Sequence, residues 1–365
     1  MDINIRPESE CKFDMVSLGE VMLRFDPGEG RIRTARSFKV WEGGGEYNVA
    51  RALHKGFGMN TAVITAIADN EIGKLLFDLI EQGGVSTELI YKMKTDAIGK
   101  TARNGLNFTE RGFGIRGAMS CSDRAGTAIS KATSEDFDFK YIFGDLGVRW
   151  LHTGGIYGAL SETSAKTLLE AVKTAKKYGT VVSYDLNYRA SLWDINGGLE
   201  KAREINKEIV KYVDVVIGSE EDFTACLGYE PEGIDEGLTN LDPESFKKML
   251  DQVAADYPNL KLIANMLHTV KTASVNDWMA ICRTDSGVLR SHEYKDLEVL
   301  DRVGIGDSFA AGFIYAIMKG MEPQEALEYG TAHGALVMTT PGDTSMASVE
   351  EVEAVINNRG ARVKR

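Results

Sequence analysis

The segment Asp301-Arg-Val-Gly-Ile-Gly-Asp-Ser-Phe-Ala-Ala-Gly312 joins a short apolar run to a long apolar stretch. Its Gly-x-Gly turn lets backbone amides converge, and the helix predicted after it adds the positive end of its dipole. Such a turn binds phosphate oxygens. Asp307 would lie in the first helical turn, where a carboxylate can accept the proton of an attacking hydroxyl. The segment therefore predicts an anion hole at Gly304, Ile305 and Gly306 beside a general base, although an ordinary turn with a helix-capping Asp would give the same sequence.

Outward from this segment, runs rich in Val and Ile alternate with longer stretches of helical periodicity. The alternation predicts a single three-layer α/β/α domain over residues 13–360, with a mostly parallel sheet covered by helices on both faces. The predicted strands are 14–18, 61–67, 150–152, 181–186, 213–217, 260–264, 278–282 and 297–300. The predicted helices are 46–55, 72–82, 163–177, 200–211, 220–227, 243–255, 306–318, 323–338 and 349–357.

Two stretches interrupt this alternation. Residues 24–42 are polar and rich in glycine, and residues 90–130 contain short alternating runs, such as 101–109, between glycines. Alternation with a period of two residues indicates antiparallel strands. We predict that the two stretches form a small β-sheet lid inserted into the α/β domain, near the carboxyl ends of the strands, where open α/β sheets bind their ligands.

Two further segments carry polar groups at the ends of predicted strands. Three glycines precede the helix that contains Asn48 and permit close approach of the backbone to a ligand. Residues 185–189 read Asp-Leu-Asn-Tyr-Arg, so alternation would place three polar side chains on one side of the chain. An ordinary Gly-rich turn and a solvated strand end are the alternatives. The candidates for ligand binding are Gly44, Gly45, Asn48, Asp185, Asn187 and Arg189.

The strand exit at residues 214–222 ends in Ser219, Glu220, Glu221 and Asp222. Magnesium prefers a few carboxylates together with phosphate oxygens, so Glu220 and Asp222 are candidates for holding Mg²⁺ or its waters. Acidic residues in a first helical turn are also favoured by the helix dipole alone, which leaves a structural interpretation open.

The overall composition argues against several classes of partner. A formal net charge of −12 is unsuited to general nucleic-acid binding, which needs clustered Lys and Arg. The four cysteines are scattered, without metal-ligand spacing, as is usual for thiols in a reducing compartment. The sequence has no apolar run of the ~18–20 residues that a membrane span requires and no apolar signal-peptide core. We therefore expect a cytoplasmic enzyme with no membrane partner.

Together, the order and spacing of these segments resemble the ribokinase-like (PfkB) family of carbohydrate kinases. Residues 44–48 are similar to the N-terminal Gly-Gly signature of that family, and residues 301–307 are similar to its C-terminal Asp-x-x-Gly-x-Gly-Asp signature. The resemblance extends from about residue 14 to the end of the chain. It implies ATP-dependent phosphorylation of a sugar with Mg²⁺, with Asp307 as the general base and the two irregular stretches as the lid.

Within that family, residues 19–24, 43–48, 123–129, 185–189 and 301–307 resemble most the 2-keto-3-deoxygluconate kinases. An acidic sugar agrees with Arg189, whose guanidinium can hold a carboxylate through two hydrogen bonds. Arg103 on the lid is a second candidate for the same anion, and Asn107 stands where the family often has a lid Tyr. Either arginine could instead pair with a carboxylate of the protein. A kinase for a neutral sugar or nucleoside, such as fructose, ribose or adenosine, and a non-catalytic sugar-binding regulator are the alternatives.

The resemblance also implies a nucleotide site. Ser219 stands where the family usually has Asn, and His268 or Lys271 would replace an Arg found near the nucleotide in many 2-keto-3-deoxygluconate kinases. The adenine ring would lie against residues 329–341. The candidates for nucleotide binding are Ser219, His268, Lys271, Gly304, Gly306, Gly334 and Thr340. A monovalent cation such as K⁺ near Asp301 and residues 340–342, and a homodimer formed through the lid, are further expectations of this kind.

Overall fold

The computed structural model describes residues 3–219, 221–233 and 242–358. The strands are β1 (Phe13–Leu18), β2 (Met22–Asp26), β3 (Lys39–Gly43), β4 (Thr61–Ala68), β5 (Ile90–Met93), β6 (Gly105–Glu110), β7 (Met119–Asp123), β8 (Val148–Gly154), β9 (Val181–Asp185), β10 (Val215–Gly218), β11 (Leu262–Thr272), β12 (Val275–Thr284), β13 (Gly287–Arg290) and β14 (Tyr294–Glu298). The helices are α1 (Gly45–Lys55), α2 (Glu71–Gln82), α3 (Ala128–Lys131), α4 (Gly155–Ala159), α5 (Glu162–Lys177), α6 (Ala190–Trp193), α7 (Gly198–Val210), α8 (Pro243–Asp256), α9 (Ile305–Met318), α10 (Pro323–Val337) and α11 (Val349–Ile356). Two π-helical segments occur at Tyr141–Gly147 and Phe223–Leu227.

The larger sheet has the strand order β13-β12-β11-β10-β9-β8-β1-β4-β5, and β14 also pairs with β12. Neighbours from β11 to β5 run parallel, whereas β12, β13 and β14 pair antiparallel at one edge. Each face of the sheet is covered by an apolar cluster. Along β1, Met15 packs into the cluster that contains α1, α9 and α10, and Val16 packs into the cluster that contains α5, α7 and α8. This alternation confirms the predicted three-layer α/β/α architecture.

The smaller sheet has the order β3-β2-β6-β7 and contains most of the two stretches predicted to form the lid, so we call it the lid sheet. Its two hairpins, β2–β3 and β6–β7, are antiparallel as predicted, but β2 and β6 pair in parallel. The predicted lid boundaries of 24–42 and 90–130 are wrong at residues 90–93. These residues form β5, which pairs with β4 of the larger sheet because Ile90 contacts one core cluster and Tyr91 and Met93 contact the other.

Two other predicted elements differ from the structure. The helix predicted for 220–227 is a π-helical segment at Phe223–Leu227, and the strand predicted for 297–300 lies at Tyr294–Glu298. Within the described part of the chain, no helix is both long and apolar enough to cross a lipid bilayer. The carboxyl ends of the parallel strands, the start of α9 and the lid border one cleft of about 970 Å³. Open α/β sheets bind their ligands in a cleft at this end of their strands.

Candidate active site

The start of α9 is a tight turn that only glycine fits. Gly304 has φ +83°, and a Cβ atom there would come within 2.0 Å of the carbonyl oxygen of Asp343. Ile305, Gly306 and Asp307 follow in the first helical turn. Amides in a first turn have no partner within their own helix, so they can bind an anion placed at the helix terminus. The turn therefore has the predicted form of an anion-binding site opening into the cleft.

Asp307 is held by the Gly-rich segment, although 259 residues separate it from its partner Asn48. The Asn48 Nδ2 donates a hydrogen bond to Asp307 Oδ2 at 2.7 Å, and Asn48 Oδ1 accepts one from the Gly44 amide at 3.2 Å. A Cβ atom on Gly45 would lie 3.4 Å from Asp307 Oδ1, so a larger residue there would narrow access to the carboxylate. The two Gly-rich segments singled out in the sequence thus meet at one carboxyl group.

The surroundings of Asp307 tune its basicity. Burial and the charge of Asp343 raise its pKa, the Asn48 hydrogen bond and the Arg189 charge lower it, and the net result is a pKa of about 7. A group with a pKa near neutrality can both accept a proton and be regenerated under ordinary conditions. Asp307 is therefore suited to deprotonate a hydroxyl group that lies beside the anion-binding turn.

Most of the predicted site residues border the same cleft. Those that do are Gly44, Gly45, Asn48, Asn107, Asp185, Asn187, Arg189, Ser219, Asp222, His268, Gly304, Ile305, Gly306 and Asp307. Asn187 and Arg189 border the cleft, but the backbone places them there in a way that differs from the prediction. Strand β9 ends at Asp185 and Asn187 has φ +35°, so a bent loop rather than strand alternation brings Asn187 and Arg189 into the cleft.

Two basic candidates lie outside the cleft because protein carboxylates hold them. Arg103 Nη2 is 2.6 Å from Asp123 Oδ2 and also donates to the Asp123 carbonyl at 3.0 Å. Lys271 pairs with Asp277 at 2.7 Å and with Asp296 at 2.8 Å on the surface of the β11–β12 hairpin. The structure therefore does not bring Arg103 and Lys271 together with the other candidates, and their contacts with a sugar and a nucleotide stay predictions.

Two residues of the predicted adenine position, Gly334 and Thr340, do not border the cleft. Gly334 faces the indole of Trp278, and a Cβ atom there would be 2.8 Å from the ring, so the space expected for a flat ligand is filled. Thr340 is exposed and donates to the Val337 carbonyl at 3.3 Å, outside the cleft. Glu220, the other metal candidate, lies outside the described residues.

The sequence did not point to several residues of the cleft, among them three charged ones. Arg124 borders the cleft and binds Glu20 Oε2 through Nε at 2.9 Å and Nη2 at 2.6 Å. Asp343 and Arg302 also border it. The segment 123–129, which carries part of the family resemblance, contained a signal for Arg124. Asp343 could not be identified because its role depends on contacts with distant segments.

Asp222 and Asp185, two acidic residues of the cleft, differ in the hydrogen bonds that their carboxylate groups accept. Asp222 accepts hydrogen bonds from the Ser219 amide (2.6 Å), the Ser219 hydroxyl (2.7 Å) and the Tyr188 amide (2.7 Å), so it ties together the loops after β9 and β10. Asp185 has a buried Oδ1 with no hydrogen-bond partner in the structure. Burial, together with the charges of Asp222 and Asp307, raises the pKa of Asp185 well above its ordinary value. Of these two carboxylates, Asp185 is therefore the one with an oxygen that has no hydrogen-bond partner and could bind Mg²⁺, a water or a ligand hydroxyl.

His268 also borders the cleft, and its buried Nε2 makes no well-formed hydrogen bond. Burial and the Arg302 charge lower its pKa to about 4 against the opposite effect of the Asn276 side chain, so the imidazole is neutral. An orphaned polar atom beside an anion-binding turn fits contact with a nucleotide. No grouping of three or more His, Cys, Asp or Glu side chains suited to a metal ion occurs within residues 3–219, 221–233 and 242–358.

Comparisons with known proteins agree with this geometry. A model of the pfkB family carbohydrate kinases matches residues 12–350. A 2-dehydro-3-deoxygalactonokinase of Haloferax volcanii is 30% identical over 353 residues, which cover 96% of this chain and 99% of that protein. A 2-dehydro-3-deoxygluconokinase structure from Thermotoga maritima superposes with a TM-score of 0.85 at 34% identity, covering 94% of this chain and 98% of that one. A putative ribokinase II from E. coli, solved with ATP and Mg²⁺, shares the fold with a TM-score of 0.75 at 16% identity over 95% of this chain and 99% of that one.

Proposed function

Because the chain belongs to the pfkB family of carbohydrate kinases, it is a sugar kinase, and we propose that it phosphorylates the terminal hydroxyl of a 2-keto-3-deoxy sugar acid, with 2-keto-3-deoxygluconate as the first candidate. The observation that carries the proposal is the placement of Asp307. Its carboxyl group is oriented by Asn48, stands in the turn that begins at Gly304, and opens into a cleft that is also lined by arginines, among them Arg124 and Arg189.

The proposed chemistry follows from these positions. MgATP supplies the phosphoryl group, and its metal ion neutralises part of the phosphate charge. Asp307 accepts the proton of the sugar hydroxyl as the hydroxyl oxygen attacks the γ-phosphorus, and the bond from that phosphorus to the bridging oxygen breaks, so that ADP leaves. The amides of Ile305 and Gly306 bind the phosphoryl oxygens as negative charge develops on them. The lid covers the reacting groups and limits transfer to water. Asp185 and His268, which have open polar atoms, are the proposed contacts for the metal or its waters and for the nucleotide.

Two arginines support an acidic substrate. Arg189 is exposed to the cleft and donates to the Tyr188 carbonyl at 2.7 Å, and among the described residues no carboxylate lies within ion-pair distance of it. Arg124, rather than Arg103, is proposed as the second arginine that binds the sugar carboxylate, although Arg124 also forms an ion pair with Glu20. A sugar carboxylate beside these groups would gain charge-assisted hydrogen bonds, which a neutral sugar cannot make.

The lid is also proposed to join two copies of the chain. Strand β7 lies at the edge of the lid sheet, and all five of its residues are exposed. Phe113 and Ile115, in the loop between β6 and β7, are exposed as well. Burying a free strand edge and these apolar side chains against a second lid would stabilise a homodimer. Light scattering on the intact protein measures its molar mass in solution. The mass of two chains would support the homodimer, and the mass of one chain would contradict it.

The substrate proposal is tested by an ATP-coupled screen of 2-keto-3-deoxygluconate, 2-keto-3-deoxygalactonate, fructose, ribose and adenosine. Arg189→Ala is expected to raise KM for the acidic sugar by about tenfold, since a hydrogen bond to a charged group contributes roughly 1.5 kcal/mol or more. Arg283→Ala is the matched control, because that guanidinium pairs with Asp251 at 2.5 Å and neither of these two residues borders the cleft. It should leave KM unchanged.

Each other outcome of the screen points to a different function. A higher kcat/KM for a neutral sugar than for every acid would overturn the sugar-acid assignment. Stabilisation by a sugar without any phosphorylation would indicate a non-catalytic binding protein instead.

The pH dependence of kcat/KM is expected to report on Asp307. Its pKa is raised from 3.8 to about 7, so the carboxylate is available above that pH and is lost as the pH falls through it. At pH 6 about one molecule in ten would carry the free base. Asn48→Ala removes the hydrogen bond that lowers this pKa, so the midpoint should move to higher pH. The matched control is Asn259→Ala, since Asn259 bonds only backbone carbonyls near α7. An unmoved midpoint in Asn48→Ala would assign the titration to another group.

A further inference from the structure

The guanidinium of Arg24 lies buried between carboxylates from three separate parts of the chain. Its Nη2 is 2.7 Å from Asp301 Oδ2 and 3.3 Å from Asp26 Oδ2, and its Nη1 bonds Asp343 Oδ1. The side chain is 1% exposed, and the Trp41 ring lies 5.4 Å from its centre. A charge buried to this extent is tolerated only when it is paired, and here both terminal nitrogens meet carboxylates while Nε has no hydrogen-bond partner among the described residues.

Two of these carboxylates support the turn that carries Asp307. Asp301 Oδ1 accepts a hydrogen bond from the Val303 amide at 3.2 Å, and Asp301 Oδ2 accepts one from the Gly342 amide at 3.3 Å. The backbone of Asp343 packs against Gly304, where a Cβ atom would meet the Asp343 carbonyl. The position of the anion-binding turn therefore depends on Asp301 and on the loop that contains Gly342 and Asp343.

The resemblance to the family implied a monovalent cation at this place, near Asp301 and residues 340–342. The residues present do not fit one. The buried guanidinium of Arg24 already occupies Asp301 Oδ2 and Asp343 Oδ1, and backbone amides also bond both oxygens of Asp301. A cation on the same carboxylate oxygens would lie beside the guanidinium and be repelled by it at short range in a poorly solvated region.

We propose that Arg24 takes the place of a monovalent cation, so that the guanidinium fixes Asp301, Asp343 and through them the catalytic turn, and the kinase needs no K⁺. Arg24 is a positioning residue, because it touches neither the cleft nor Asp307. It belongs to β2 of the lid, so the charge that orders the turn is delivered by the element that covers the sugar. The inference rests on the role proposed for the Asp307 turn.

The first test compares K⁺, Na⁺ and choline chlorides at equal ionic strength. The wild type is expected to vary by less than about twofold in kcat, since no cation site would contribute to its barrier. Arg24→Ala should lose about tenfold or more in choline and recover most of that loss in K⁺, because a small cation can enter the space between the freed carboxylates. The melting temperature is a measurement that does not depend on catalysis. K⁺ should raise it in Arg24→Ala but not in the wild type.

Arg111→Ala is the matched control. Arg111 Nε lies 3.7 Å from Asp26 Oδ2, in the same cluster, but Arg111 forms no ion pair with Asp301 or Asp343 among the described residues. This variant should remain independent of the cation. Activation of the wild type by K⁺ over choline, or K⁺-induced stabilisation of it, would overturn the proposal even if Arg24→Ala does not fold. A folded Arg24→Ala that K⁺ neither activates nor stabilises would do the same. The melting-temperature arms need no substrate, so their result is separate from a failure of the proposed function.

Discussion

Asp307→Asn is expected to lower kcat by about 10³-fold while leaving nucleotide binding intact, because general-base catalysis typically contributes 10²–10⁴-fold. The substitution preserves the shape of the side chain. The amide oxygen of Asn can still accept the 2.7 Å hydrogen bond that Asn48 donates to Asp307 Oδ2, so α9 and the Gly-rich segment stay together. The variant removes only the capacity to accept the hydroxyl proton. A uniform loss of binding would indicate damage to the site rather than loss of the base.

The measurement is kcat with saturating sugar and ATP, together with a calorimetric Kd for MgATP. Asp78→Asn, on an exposed part of α2, removes the same charge far from the cleft and serves as the control. Turnover of Asp307→Asn within about tenfold of the wild type would assign the base to another group. Asp185 would then be the first alternative, since its carboxyl group also borders the cleft and has an open oxygen.

The sequence predicted the architecture because each layer has its own pattern. Strand β4 is buried at all eight positions and reads as a continuous apolar run, as a central parallel strand should. The exception was β5, whose apolar residues Ile90, Tyr91 and Met93 are divided between the two core clusters. That alternation is also what an exposed antiparallel strand produces, so only the pairing with β4 could distinguish the two. Short strands next to a lid are ambiguous for this reason.

The central pair of the site was also predictable, because Asn48 and Asp307 both stand in the first turn of a helix at the carboxyl edge of the sheet. The arginines were not. Arg103 and Arg124 lie on the same lid segment, and which of them faces the cleft depends on which carboxylate each one meets: Asp123 for Arg103 and Glu20 for Arg124. Contacts between residues distant in sequence have no local signature.

The same limit applies to the small residues assigned to the nucleotide. Gly334 was expected to make room for adenine, but the room is taken by Trp278, whose indole nitrogen donates to the Thr331 carbonyl at 2.9 Å. A glycine in a helix can serve either a ligand or a neighbouring ring. Gly304 differs from Gly334, because the positive φ of Gly304 and its place before α9 follow from the Gly-x-Gly turn itself. A substitution at Gly304 therefore tests the predicted anion hole more directly.

Gly304→Ala is expected to reduce kcat by about 10²-fold or more, comparable to the loss of one oxyanion-hole donor. Two effects combine at this position. An L-residue at φ +83° costs roughly 1–2 kcal/mol, and the new methyl group would lie 2.0 Å from the Asp343 carbonyl oxygen, so the turn or the loop must move. Either movement displaces the amides of Ile305 and Gly306 from the phosphoryl group that they are proposed to bind.

Gly320→Ala separates these two effects, because Gly320 follows the other end of α9 with φ +76° and no atom within 4 Å of the added methyl group. Both variants carry the same backbone strain, so both should lose roughly 1–2 kcal/mol of stability. Only Gly304→Ala should also lose activity. We would measure kcat and the free energy of unfolding for each variant. If Gly304→Ala retained kcat within a few-fold of Gly320→Ala, the amides at the start of α9 would not be the groups that stabilise the transferred phosphoryl group, and Asp307 would have to act without them.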